Sequence, residues 1–155
     1  MDLRDARATL RRSLLESGHR CTGQREAVHE VLRETRTHPT ADEICHAVRE
    51  RIPGVSLATV YKALEAFERS GVCLRLNQGD GPARYDIRVD EHHHLKCVDC
   101  GRLLDVEGPP MQEWLAAIDT NDEFEIFGGH LVLEGRCSAC RIETSAPTVP
   151  APGIA

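Results

Sequence analysis

Apolar residues in the first 75 positions recur with the 3.6-residue period of helices. Between Asp2 and Glu16, leucines form one stripe and arginines occupy the rest of the surface. The stripe comprises Leu3, Leu10, Leu14 and Leu15. This pattern predicts a first helix over these residues, with the leucine stripe packed against a core.

Capping residues predict where three further helices begin. Thr22 is a candidate N-cap, Thr40 with Glu43 three positions later forms a capping box, and Ser56 is a candidate N-cap of a fourth helix. Gly71 occupies the position of a C-terminal cap. The predicted buried face of the fourth helix comprises Leu57, Val60, Leu64 and Phe67.

After Gly71 the apolar period shortens to two, which is typical of strands. Val72, Leu74 and Leu76 alternate with less apolar residues, and the turn at residues 79–82 leads into a second strand over residues 83–87. Helices followed by a hairpin predict a winged helix-turn-helix domain over residues 1–82.

The remainder of the chain predicts a small unit of helix and strand. We expect strands at 92–97, 101–106, 123–127 and 130–136, and a helix after Pro109 and Pro110. The apolar face of that helix comprises Met111, Trp114, Leu115 and Ile118. The predicted fold class is α+β, with a metal-binding dimerisation domain over 83–143 and a disordered Pro/Ala-rich tail over 144–155.

Composition and charge limit the compartment and the partners that we expect for this protein. The 155 residues have a formal net charge of −6, with no apolar run of membrane-spanning length and no export leader, so we expect a cytoplasmic protein. Residues 1–82 contain 13 Lys+Arg and 12 Asp+Glu, whereas residues 83–155 contain 6 and 13. An anionic partner is therefore expected at the first half.

The predicted helix from Ser56 has the composition of a DNA recognition helix. Its polar face offers hydroxyls, a phenol and a cation, which suit base edges and phosphates. The candidate DNA contacts are Arg20, Arg25, Ser56, Thr59, Tyr61 and Lys62. A helical protein-binding module with a hairpin remains the alternative at this point.

Two C-x-x-C pairs predict a tetrahedral zinc site with four thiolates. The pairs are Cys97 with Cys100 and Cys137 with Cys140. The alternative is two buried thiol pairs or two disulfides. An odd total of seven cysteines, four of them in metal-like pairs, fits a reducing cytoplasm better than a disulfide scaffold does. We expect this zinc and a partner subunit to support a domain that has few residues for a core.

Three consecutive histidines precede the first cysteine pair. On a strand, side chains alternate between faces, so His92 and His94 point to one side and His93 to the other. Adjacent strands could bring Asp86 and Asp105 beside this histidine pair, and nitrogen with oxygen ligands suits iron(II), manganese(II) or zinc(II). The alternative is a solvated histidine run on a loop.

Several motifs together resemble the ferric uptake regulator superfamily of bacterial metal-dependent repressors. They are G-H-R-C-T-G-Q-R (18–25), H-P-T-A-D-E-I (38–44), S-L-A-T-V-Y-K-A-L (56–64), H-H-H-L-K-C-V-D-C-G (92–101) and C-S-A-C (137–140). The resemblance implies a homodimer that binds a palindromic DNA operator, and a repressor rather than an enzyme.

The same resemblance implies a regulatory metal site that joins the two domains. Its residues are His38, Asp86, His92, His94 and Asp105. Metal binding there would close the angle between the domains, so that both recognition helices of the dimer fit the operator.

Ligand types favour one branch of this superfamily. Zinc-uptake repressors usually have cysteine at the position of Asp86, and iron-uptake branches usually have glutamate at that of Asp105. Aspartate at both positions is typical of the peroxide-sensing branch. In that branch, iron-catalysed oxidation of the ligands that correspond to His38 and His92 releases the DNA. An iron, manganese or zinc uptake repressor is the alternative, and a thiol redox switch or zinc enzyme is a more distant one.

The chain also departs from the family pattern. Cys21, Gly23 and Lys62 replace residues more common in the family, and Lys62 lacks the bidentate fork of arginine. A peripheral metal site found in some members would involve Glu91, His93, Glu113 and His130 here. Because His130 lies seven rather than eight positions before Cys137, it would face the opposite side of a strand unless a bulge intervenes.

Overall fold

The computed structural model describes residues 3–35, 37–76, 81–119, 124–126, 129 and 131–143. The chain divides into two compact units, Met1–Asp90 and Glu91–Ala155. The sequence pattern predicted the boundary after residue 82. In the structure the first unit extends further, to Asp90, because it also contains the second strand of the hairpin. None of the described helices is long and apolar enough to cross a membrane.

The first unit consists of helices followed by a hairpin. The helices are α1 (Leu3–Glu16), α2 (Gly23–Glu34), α3 (Ala41–Arg51) and α4 (Leu57–Arg69). The strands β1 (Leu74–Leu76) and β2 (Arg84–Asp86) pair antiparallel, with Leu74 opposite Asp86 and Leu76 opposite Arg84. The predicted winged helix-turn-helix is therefore confirmed.

The predicted caps lie at the ends of these helices. Thr22 accepts a hydrogen bond from Arg25 N, and Ser56 accepts one from Thr59 N at 3.1 Å. Thr40 and Glu43 form both bonds of the capping box. Gly71, at φ +63°, follows α4 in the left-handed conformation that glycine adopts without strain.

One continuous apolar core fills the first unit. Val60, Leu64 and Phe67 on α4 are fully buried, as predicted, whereas Leu57 is only partly buried. The predicted stripe on α1 was partly wrong. Ala6, Leu10 and Leu14 face the core, whereas Leu3 and Leu15 are exposed.

The second unit contains a three-stranded sheet and two short helices. The strands are β3 (His93–Cys97), β4 (Leu103–Val106) and β5 (Val132–Gly135), and the helices are α5 (Met111–Ala116) and α6 (Ser138–Glu143). The sheet order is β4-β3-β5, with β3 antiparallel to β4 and parallel to β5. The mixed helix and strand composition confirms the predicted α+β class.

The strand expected over 123–127 was wrong in its described part, since residues 124–126 have no regular structure. The helix predicted after Pro110 is present as α5, but it ends before Ile118. None of its residues is buried, and Trp114 is exposed. The predicted tail lies outside the described residues.

Candidate metal centres and nucleic-acid interface

The four paired cysteines of the second unit form a cluster. Cys97 ends β3, Cys100 lies in the following turn, Cys137 precedes α6 and Cys140 lies within it. One sulfur from each lies within 4.8 Å of every other. Strand β5, parallel to β3, brings the second pair to the end of β3 at which the first pair lies.

The dimensions of this cluster fit a tetrahedral zinc ion. With zinc–sulfur bonds of about 2.3 Å, the sulfurs of such a site lie about 3.8 Å apart. Cys100 Sγ and Cys137 Sγ are separated by 3.8 Å. The four-thiolate set also matches the preference of zinc for soft ligands.

Local hydrogen bonds stabilise the thiolate form of one of these cysteines. Cys137 N–H donates to Cys97 Sγ at 3.3 Å, and this bond, followed by one from Cys100, lowers the pKa of Cys97 to about 6. In contrast, the adjacent sulfurs of Cys137 and Cys100 raise the pKa of Cys140. Four crowded thiolates repel one another, so complete ionisation of the cluster requires a cation such as zinc.

The second unit also contains a pair of imidazoles beside a carboxylate. His92 Nε2 lies 3.1 Å from His94 Nε2, and both are 3.8 Å from Asp105 Oδ1. His94 and Asp105 are register partners on β3 and β4, which explains their proximity. Both imidazoles are buried and the carboxylate is partly exposed. Two nitrogens and an oxygen therefore converge within one unit, as ligands for a divalent transition metal would.

The first unit contains a second nitrogen and oxygen pair. His38 Nε2 lies 3.5 Å from Asp86 Oδ2, and both side chains are buried. The other carboxylate oxygen, Asp86 Oδ1, accepts a hydrogen bond from Arg88 N at 2.8 Å. This bond fixes the carboxylate with Oδ2 directed at the imidazole.

His93 points away from its two neighbours, as the strand alternation predicted. Its Nε2–H donates to Pro109 O at 2.7 Å, since a carbonyl can only accept. Gly108 lies against the same ring, and a Cβ there would lie 2.6 Å from His93 Cδ2. The sequence contained no signal for this contact.

Three of the four predicted peripheral ligands are described. Glu91 accepts a hydrogen bond from Met111 N, His93 faces Pro109, and Glu113 lies in the first turn of α5. These three do not form a ligand cluster within the described residues, and His130 lies outside them. The peripheral site stays a prediction.

The polar face of α4 is accessible in the first unit. Ser56 Oγ and Thr59 Oγ1 lie 2.8 Å apart, and Tyr61 and Lys62 are exposed. Arg25 donates to Arg20 O at 2.5 Å, so its guanidinium is fixed at the start of α2.

The remaining cysteines are packed in the first unit rather than clustered. Cys45 and Cys73 are buried, and burial raises the pKa of Cys73 to about 12. Cys21 is partly buried, and burial with the neighbouring Glu26 carboxylate raises its pKa. Protonated thiols are poor nucleophiles, so these environments favour packing roles over redox roles.

The sequence pattern of the Ferric uptake regulator family matches residues 16–133. The chain belongs to this family. The "Peroxide-responsive repressor PerR" of Staphylococcus aureus is 33% identical over 129 residues, which are 83% of this chain and 87% of the relative. The protein is thus a member of a family of metal-dependent transcriptional regulators.

Solved structures agree with this assignment. The Helicobacter pylori ferric uptake regulator Fur has a TM-score of 0.76 at 24% identity, with 94% of this chain and 97% of that chain covered. The Campylobacter jejuni peroxide stress regulator has a TM-score of 0.63 at 25% identity, with coverage of 90% and 100%. The first of these supports the fold alone.

Proposed function

We propose that this protein is a metal-dependent, homodimeric DNA-binding repressor that senses peroxide through oxidation of its own histidine ligands. The observation that carries the proposal is the convergence of His92, His94 and Asp105 in the second unit. The similarity to the peroxide-responsive repressor of S. aureus supports the choice of signal.

The four-cysteine cluster is assigned to structural zinc. Its dimensions fit a closed tetrahedral site, which leaves no position for a substrate or for an exchangeable water. This argues for a structural role rather than a catalytic one, and the family consists of regulators.

The regulatory metal is assigned to two half-sites. His38 and Asp86 supply one nitrogen and one oxygen from the first unit, and His92, His94 and Asp105 supply the rest from the second. The proposed ion is iron(II) or manganese(II), with zinc as another occupant, since nitrogen and oxygen ligands suit all three. By resemblance to the family, metal binding at these residues would bring the two recognition helices of a dimer to the spacing of the operator.

The assigned DNA interface is the polar N-terminal face of α4. Tyr61 is assigned to base edges, and Lys62 to phosphate because an ammonium acts as a point charge. Ser56, Thr59, Arg20 and Arg25 complete the set of proposed contacts. The partner is a palindromic duplex, since two copies of the chain would each present one helix.

In the proposed response to peroxide, the imidazole rings of the metal ligands are themselves oxidised. A bound iron(II) ion would supply the redox chemistry that activates hydrogen peroxide beside the imidazoles, and the two electrons that reduce the peroxide come overall from the imidazole ring. Overall, one peroxide oxygen replaces the hydrogen on a ring carbon of His38 or His92, and the other oxygen leaves as water. The oxidised ring is a poorer ligand, so metal is lost and the repressor releases DNA. Each event modifies the protein once, so this is sensing rather than turnover.

The test compares two metals on the same protein. Duplexes would first be selected from a random library with manganese-loaded protein, and binding then followed by fluorescence anisotropy. We expect a few equivalents of peroxide to release iron-loaded protein from DNA and to leave manganese-loaded protein bound. Peptide mass spectrometry should detect one added oxygen on the peptides that contain His38 or His92. His46, which is exposed on α3, supplies an internal control that should stay unmodified.

The second candidate is an uptake repressor that responds to manganese, iron or zinc without peroxide chemistry. The same nitrogen and oxygen ligand set favours it, because these ligands also suit reversible metal binding. Iron-loaded protein that keeps both its DNA and its unmodified histidines under peroxide would establish this alternative.

A further inference from the structure

His38 has a backbone conformation that its own sequence disfavours. Its φ is +51°, the only positive value at a non-glycine position among the described residues. The following residue is Pro39, whose ring restricts its predecessor to extended conformations. A side-chain-bearing residue keeps a left-handed conformation only where surrounding contacts enforce it.

Strand β2 supplies those contacts. Arg84 Nη1 donates to His38 O at 2.9 Å, and Tyr85 N–H donates to Pro39 O at 3.0 Å. Thr40 and Arg84 form an isolated antiparallel bridge. These bonds attach the segment from His38 to Thr40 to the hairpin, although Arg84 lies 46 positions after His38 in the chain.

The guanidinium of Arg84 also faces the start of α3. Glu43 Oε2 lies 3.5 Å from Arg84 Nη1, and it accepts the Thr40 N–H at 2.7 Å. The same donor atom thus faces two acceptors that flank Thr40. Arg84 fixes the turn between His38 and the helix cap, and only about a quarter of its side chain is exposed.

The position of Arg84 on β2 connects this turn to the candidate metal ligands. Asp86 lies two residues further on the same strand, and its Oδ2 is 3.5 Å from His38 Nε2. We propose that Arg84 is a positioning residue for the regulatory metal, and that it acts by holding the backbone of His38. One strand then provides the Asp86 ligand and sets the direction of the His38 ligand. This inference rests on the regulatory site proposed above.

The experiment measures manganese(II) affinity of the full zinc-containing dimer by isothermal titration. Arg84→Ala should weaken manganese binding about 10- to 100-fold, the usual effect of removing a residue that orients a ligand. Arg84→Lys should recover part of the affinity, because an ammonium can still donate to His38 O. Arg75→Ala is the matched control, since it removes an exposed arginine from the opposite strand of the same hairpin and should change nothing.

A double-mutant cycle isolates the route through His38. In a His38→Ala background, Arg84→Ala should cause no further loss of affinity, because the ligand that it orients is gone. Zinc content and the thermal midpoint of the first unit should be equal in all these variants. Glu43→Gln, which retains the capping box, should weaken manganese binding less than Arg84→Ala does.

Two results would overturn the inference alone. They are an unchanged affinity in Arg84→Ala, and an equal loss from Arg84→Ala with and without His38. If Arg84→Ala does not fold, Arg84→Lys and Glu43→Gln decide, and unchanged affinity in both rejects the role. A His38→Ala variant with wild-type affinity would instead reject the proposed site, and the inference with it.

Discussion

The two units obtain their stability in different ways. In the first, buried apolar side chains from four helices and the hairpin form one continuous cluster. In the second, Cys97 and Leu103 are the only buried apolar residues among those described. Its other buried side chains are three consecutive histidines. The first unit thus has an apolar core, whereas the buried side chains of the second are mostly histidines and a cysteine of the clusters described above.

The exposed surface repeats this contrast. The second unit exposes large apolar side chains on its strands, its helices and its loops. They are Leu95, Val98, Leu104, Trp114, Ile118, Phe124, Ile126, Leu133 and Ile142. A monomer rarely leaves so many apolar groups in water, which supports a partner subunit on this unit. The comparison supports our proposal that zinc and a partner subunit stabilise the second unit.

The largest expected effect is therefore loss of the zinc. Cys137→Ser should destabilise the second unit and prevent dimerisation, because metal binding contributes on the order of 10 kcal/mol to the folding of small zinc domains. Trp114 is the only tryptophan of the chain, so its fluorescence reports on this unit alone. Far-UV circular dichroism should retain the helical signal of the first unit.

Cys21→Ser is the matched control, because Cys21 lies in the first unit outside the cluster. It should keep zinc, tryptophan fluorescence and sedimentation unchanged. A zinc-free Cys137→Ser protein that remains dimeric and binds DNA would contradict the structural role of the cluster.

The sequence predicted most of the first unit because its signals are local. Thr22, Thr40 and Ser56 cap helices through contacts within three residues, and Gly71 ends one in the same way. Such contacts depend on neighbours in the chain, so a pattern of residue types is sufficient. The face of α1 was harder to predict, because which leucines reach the core depends on how α1 packs against the rest of the unit, including α2, to which Arg7 and Arg11 form ion pairs.

Two adjacent leucines of α1 test which face of this helix packs against the core. Leu14 is fully buried, whereas Leu15 is 76% exposed on the same helix. Leu14→Ala should lower the free energy of unfolding by about 2–5 kcal/mol, since it removes buried methyl groups and leaves a cavity. Leu15→Ala should change it by less than about 0.5 kcal/mol. Thermal unfolding followed by circular dichroism distinguishes them, and equal effects would contradict the assigned face of α1.

In the second unit the candidate sites were predictable from residue types, whereas their supports were not. The cysteine spacing indicated a zinc cluster, and the alternation of His92, His93 and His94 gave their directions. The close contact of Gly108 with His93 depends on long-range pairing, as does the bond from Arg84 to His38 in the first unit. No local pattern specifies such contacts. The expected strand over 123–127 was wrong in its described part, because an apolar alternation alone does not specify a partner strand and residues 124–126 have no regular structure.

A smaller effect on stability is expected from His29, a buried imidazole that packs against the apolar core. His29 packs edge-on against Phe67 at 5.9 Å, and burial, followed by the charge of Arg33, lowers the pKa of His29 to about 4. The unfolded chain binds the proton near pH 6.5, so the folded state is penalised as the pH falls from about 6.5 to 4. The loss of folding free energy should be up to about 3 kcal/mol, at about 1.4 kcal/mol for each pH unit between the two pKa values.

Chemical denaturation at a series of pH values measures this loss of stability. His29→Gln should flatten the dependence between pH 6.5 and 4, whereas His46→Gln, at an exposed position on α3, should leave it unchanged. The same slope in the wild type and in His29→Gln would rule out His29 as the source.

The smallest expected effect is on the salt dependence of DNA binding, when one exposed lysine is replaced in the less acidic half of the chain. The chain has two lysines: Lys62, on the polar face of α4, and Lys96, which lies 3.6 Å from Glu134 on the sheet. If Lys62 contacts a phosphate, Lys62→Ala should make the salt dependence of DNA binding shallower by about one unit per contact, because one fewer counterion is released. Lys96→Ala should leave that slope unchanged, since its unit is acidic and contains no proposed DNA contact. Anisotropy titrations of manganese-loaded protein between low and moderate salt would measure both slopes. An unchanged slope for Lys62→Ala, or a shallower one for Lys96→Ala, would contradict the assignment of DNA binding to the first unit through α4.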